Sequence, residues 1–108
     1  MSNEVWGTLA QAAPAATTLT AIYTCPAGKR ATVEVILCNR STTTNVRWSY
    51  AINGAADAVA QYMLYDFALS GNIAISTARI TIKAADVLRV YSASGNVTFQ
   101  VNGIEEDD

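Results

Sequence analysis

The chain contains no histidine, so the commonest general base and the commonest protein ligand for metals are both missing. A nucleophilic triad would have to recruit Lys or a carboxylate as its base, and no phrase resembles Gly-x-Ser-x-Gly. Metalloenzymes built on histidine ligands are excluded in the same way. Only two prolines and six glycines occur in 108 residues, and none of them makes a linker, so one domain is expected. Uninterrupted apolar runs last a few residues, against the roughly 20 needed to cross a bilayer. No membrane partner is expected. The seven Lys and Arg residues are scattered rather than gathered on one face, which argues against nucleic acid. The opening Met1-Ser2-Asn3-Glu4 lacks the basic and apolar parts of a secretory signal, so a cytoplasmic origin is expected.

The acids divide into two groups. Glu105, Glu106, Asp107 and Asp108 supply four of the nine and read as a solvated tail over 105–108. The others are Glu4, Glu34, Asp57, Asp66 and Asp86. Asp57, Asp66 and Asp86 fall at turns or strand ends, where a carboxylate commonly accepts hydrogen bonds from backbone N–H groups. Paired-carboxylate catalysis is therefore disfavoured. No enzymatic activity, cofactor or metal is expected.

Two cysteines, Cys25 and Cys38, flank a strong strand pattern. If Pro26-Ala27-Gly28 were a tight hairpin turn, Cys25 would lie opposite Lys29 or Arg30, with Cys38 about eight residues further on. At about 3.3 Å per residue that is about 25 Å, far beyond the Cα separation of about 7 Å that a bridge tolerates. Two free thiols are expected.

What the chain has in quantity is alternation. Ala31, Val33, Val35 and Leu37 alternate with polar residues, as do Val46, Trp48, Tyr50 and Ile52, which is the period of a half-buried strand. Strands are expected at Val5 to Ala13, Leu19 to Thr24, Lys29 to Arg40, Asn45 to Ile52 and Gln61 to Leu69. Ile73 to Lys83 reads as one strand or two short ones. Asp86 to Ser92 and Val97 to Ile104 read as a closing pair joined through Ala93-Ser94-Gly95-Asn96. Asn53-Gly54 is a turn signal, and Ala55 to Ala60 a loop or single helical turn. About eight short strands at even spacing predict an all-β, jelly-roll-like antiparallel β-sandwich. The organisation expected is an N-terminal arm and connector over 1–18, a sandwich over 19–104 and the tail over 105–108.

Trp6, Trp48, Tyr50, Tyr62, Tyr65 and Tyr91 would suit an aromatic platform for carbohydrate, yet aromatics alternating along strands more often pack cores and subunit interfaces. Tyr62, Met63, Leu64, Tyr65 and Phe67 leave too few polar positions for a solvent-facing edge, and a bare apolar edge aggregates. These five and Trp6 are the candidate subunit or partner contacts, Trp6 being the apolar anchor either of an arm that swaps or reaches outward or of an ordinary edge strand of the same protomer.

The phrases Tyr23-Thr24-Cys25-Pro26-Ala27-Gly28-Lys29, Cys38-Asn39-Arg40-Ser41, Asn53-Gly54-Ala55 and Ala84-Ala85-Asp86-Val87-Leu88-Arg89-Val90 together resemble small virion proteins of tailed bacteriophages, over about residues 22 to 104. Ala85 stands where that wording often has Gly. The resemblance implies a non-enzymatic β-sandwich made in a bacterial cytoplasm and carried on the virion. It implies a homotrimer that binds the major capsid protein as a cement or decoration protein. A tail or baseplate component, or a carbohydrate-binding module on a phage fibre, are the alternatives.

Overall fold

A computed structural model describes residues 4–108. Eight strands follow one another: β1 (Val5–Ala12), β2 (Thr20–Thr24), β3 (Lys29–Asn39), β4 (Thr44–Ala51), β5 (Tyr62–Leu69), β6 (Ile73–Lys83), β7 (Val87–Ser92) and β8 (Val97–Asp107). Two single turns of 3-10 helix, Ile52–Gly54 and Val59–Gln61, lie between β4 and β5. The Ala55 to Ala60 stretch is thus a loop running into a helical turn. Asn53 and Gly54 both take positive φ, 56° and 69°, the backbone state their turn signal calls for.

The strands form two antiparallel four-stranded sheets, ordered β1-β8-β3-β6 and β2-β7-β4-β5. β1 pairs β8, β2 pairs β7, β3 pairs β6 and β4 pairs β5. That nesting is a long hairpin rolled over itself, and the expected jelly-roll sandwich is the fold. The alternation has its physical cause between the sheets: Ala31, Val33, Val35 and Leu37 of β3 pack there with Trp48, Leu88, Val90, Phe99 and Val101, all essentially without solvent exposure. Odd residues of β3 face inward and even ones outward, so a register slip of one would expose the whole set.

Three expectations are corrected. β7 and β8 do not pair with each other but lie in opposite sheets, and the Ala93–Asn96 link crosses the sandwich. A period-two pattern defines which face of a strand is dry and carries no information about which strand lies beside it. The 1–18 segment is not a separate arm, because Val5 to Ala12 is an edge strand hydrogen-bonded to β8 of the same chain, from Val5↔Glu105 to Ala12↔Phe99. Met1 to Asn3 lie outside the described residues. Nor is 105–108 a free tail: β8 continues to Asp107 alongside Lys29–Ala31. Lys29 pairs with Asp107 at 2.6 Å and Arg30 approaches Glu106 at 4.0 Å. The hydroxyl of buried Tyr23 donates to Glu105, and burial followed by that carboxylate raises the Tyr23 pKa far above its ordinary value.

Cys25 and Cys38 are both unbridged, but not for the hairpin reason, since β2 and β3 belong to different sheets. Cys25 is 1% exposed and its thiol donates to the Lys29 carbonyl at 3.5 Å. Burial, then the nearby Glu105, Asp86 and Asp108 carboxylates, raises its pKa, which suppresses the reactive thiolate.

Candidate functional site

β5 is the outer strand of its sheet and hydrogen-bonds β4 on one side alone. The register sets Leu64 opposite Trp48 and Phe67 opposite Val46, both of which are buried. Leu64 and Phe67 therefore lie on the inner side, yet Phe67 remains 42% exposed at the rim. Bulges flank Trp48 in this ladder, and Asp66 takes φ of 50°. That extra residue bends the strand and brings Tyr65 and Asp66 to Arg47. Met63 and Tyr65 are 46% and 58% exposed. Both sides of the edge thus show apolar surface to solvent.

The one charge on β5 is already used. Asp66 Oδ1 accepts from Arg47 Nε at 2.5 Å, and the Arg47 guanidinium lies 4.3 Å from the Tyr65 ring centroid and 4.5 Å from that of Tyr91. The hydrogen bond to Asp66 raises the Arg47 pKa against the opposing effect of burial. Tyr62 meets the Tyr65 ring edge-on at 5.0 Å.

The structure brings Tyr62, Met63, Leu64, Tyr65 and Phe67 together and separates Trp6 from them. Trp6 sits on β1, at the edge of the other sheet, 73% exposed, with its indole N–H donating to Glu4 at 3.0 Å. Trp48 is wholly buried and cannot belong to a surface platform. The remaining carboxylates do not gather: Glu34 lies on the outer face of β3, Asp57 lies beside Tyr62, whose pKa burial and then that carboxylate raise, and Asp86 is 3% exposed. No cluster of three or more metal-ligating side chains occurs among the described residues.

Asp86 is the structural device the sequence concealed. Its carboxylate accepts from the Asn53 N–H at 2.8 Å, the Lys83 N–H at 2.9 Å and the Tyr50 hydroxyl at 3.0 Å. Burial opposes its ionisation, but these three donors outweigh burial and hold its pKa below the ordinary value. Its own carbonyl accepts from the Cys25 N–H at 3.0 Å. One residue thereby ties the turns after β2, β4 and β6 into a single end of the sandwich. The alternation pattern marks Asp86 as a turn residue but cannot reveal which distant groups it holds.

No family model matches the sequence, and no curated protein matches it. Among solved structures, the chain is similar in shape to a protein of Bacillus endospore appendages, described as a novel family of disulfide-linked pili. The TM-score is 0.58 at 14% identity, over 99% of this chain and 87% of that one. At that identity the likeness is one of fold.

Proposed function

We propose that this chain is a non-enzymatic structural protein that associates with copies of itself through β5 and, as a trimer on the outside of a phage capsid, clamps neighbouring major capsid subunits. The observation that carries the reading is the β5 edge: an unpaired strand, apolar on both sides, whose single carboxylate is spent on Arg47. An edge of this kind left open is a site of aggregation, and a second copy removes the hazard. β6, an outer strand of the other sheet, instead carries Arg79, Lys83, Ser76, Thr77 and Thr81, polar positions that suit an edge in solvent. The virion-type phrases in the sequence supply the setting. Contacts repeated over a symmetric lattice turn a modest energy per site into a large effect on the whole shell.

Particles assembled without the protein are expected to have normal shape and to release their DNA at a lower temperature. Equal release temperatures with and without it overturn the cement reading. A defect confined to tail assembly or adsorption would assign it to the tail.

A second reading is favoured by the fold comparison: a fibre subunit. A head-to-tail contact closes into a ring if its rotation permits and otherwise propagates as a filament. Light scattering with negative-stain microscopy separates the two, since a trimer has three times the 11.5 kDa chain mass and a fibre has no fixed mass. Buried Cys25 is poorly placed for cross-linking copies, which leaves the half-buried Cys38 of β3 as the thiol a cross-linked fibre would use.

A further inference from the structure

The outer face of the β1-β8-β3-β6 sheet carries a groove of about 450 Å³ near Trp6, within the size range of small-molecule sites. Two rows of the ladder build it. One runs Trp6, Ile104, Thr32, and the next Asn102, Glu34, Arg79. Gly7 and Gly103, paired across the ladder, contribute backbone to its lining. A Cβ at Gly103 would stand 2.0 Å from the Thr32 carbonyl oxygen, so no other residue fits there without moving β3.

The polar lining is unspent. Glu34 and Arg79 are direct cross-strand partners, the placement in which opposite charges ordinarily attract, yet they form no ion pair. Among the described residues, the side chains of Glu34, Arg79 and Asn102 make no hydrogen bond or salt bridge. The ladder shifts register immediately beyond Glu34, and a bulge re-aims the side chains beside it. A carboxylate, a guanidinium and an amide thus line one groove with capacity to spare, flanked by an indole that is 73% exposed and tethered by Glu4.

From this arrangement we infer that the groove binds a neutral oligosaccharide. One acid and one base balance, so neither an anion nor a cation is selected. A carboxylate that accepts, a guanidinium that donates and an amide that does both match adjacent hydroxyls. The indole supplies a flat apolar face for the C–H side of a pyranose ring. The site is independent of β5, so a self-assembling shell or fibre protein would carry it outward as a weak, multiply repeated sugar contact.

Titration calorimetry with maltohexaose, cellohexaose, mannohexaose and chitohexaose tests this, with saturation-transfer NMR to detect weak complexes. At least one should bind saturably. Trp6→Ala and Arg79→Gln should each weaken that binding by about tenfold or more, the effect of losing a central anchor, with the circular dichroism spectrum unchanged. Val59→Ala, at a 90% exposed residue between β4 and β5, should bind as the parent does. Failure of all four sugars to bind, binding that survives both groove substitutions, or binding lost in Val59→Ala overturns the inference. Selective binding of a sulfated or uronic oligosaccharide also overturns it, because the charge balance would then be wrong.

Discussion

At the scale of the residue, the end of the sandwich depends on Asp86. Asp86→Ala would leave two backbone N–H groups and the Tyr50 hydroxyl facing a void in a nearly solvent-free place. A loss of about 3 kcal/mol is expected, the order for stranding buried donors of a charged acceptor. The pH dependence has a definite sign. The folded pKa of Asp86 lies below its ordinary value of 3.8, so its stabilisation is present above that value and is lost as pH falls through the folded pKa. Urea unfolding at pH 7 and again below pH 3 should therefore show a gap between parent and Asp86→Asn that narrows in acid. A gap that widens in acid would contradict the assignment. Ala85, just before it, takes φ of 74°, a left-handed state that costs a non-glycine residue about 1–2 kcal/mol. The turn keeps the shape that glycine would favour although glycine is absent, because Asp86 and the Cys25 carbonyl, which accepts from the Ala85 N–H at 3.0 Å, hold it.

Among the elements, β5 differs in kind from the rest. Its apolar content does not serve the core alone, since Met63 and Tyr65 face solvent. Met63→Lys places a charge on the open edge without touching the interior, a device that natural edge strands use to refuse partners. It should shift the protein toward monomer in light scattering, with association weakened on the order of tenfold or more and little change in melting temperature. Unchanged mass would remove β5 from the interface. The existence of most strands was legible in the sequence because burial on one face forces period two, as in Ala31 to Leu37. The candidate edge was legible too, because Tyr62 to Phe67 breaks that period. Two things were hidden. The groove around Trp6 depends on which strands are neighbours, and the role of Glu105 to Asp107 depends on Lys29 and Tyr23 lying far away in sequence.

For the whole molecule, sequence neighbours are seldom sheet neighbours. β1 meets β8 and β2 meets β7, and hydrophobic pattern cannot encode such pairings, which is why Val87–Ser92 and Val97–Asp107 read as a hairpin and are not one. The central place of β8, between β1 and β3, decides what a truncated chain can do. A form ending after Ser92 leaves β1 with no strand to pair and opens the hydrogen-bonding edge of β3 that β8 occupies. It should give a collapsed, poorly dispersed amide NMR spectrum and rapid proteolysis. A native-like spectrum would show that the remaining strands suffice.

The same topology governs birth on the ribosome. The sheet of β1 cannot be assembled until β8 has been synthesised, so this domain folds only once residues 97–107 have been made. Until then the sticky segment Tyr62 to Leu69, made before β6, β7 and β8, waits uncovered. Chaperone dependence and inclusion-body formation in overproducing cells are the natural consequence, and slow elongation, which helps many proteins, would here only lengthen the exposure.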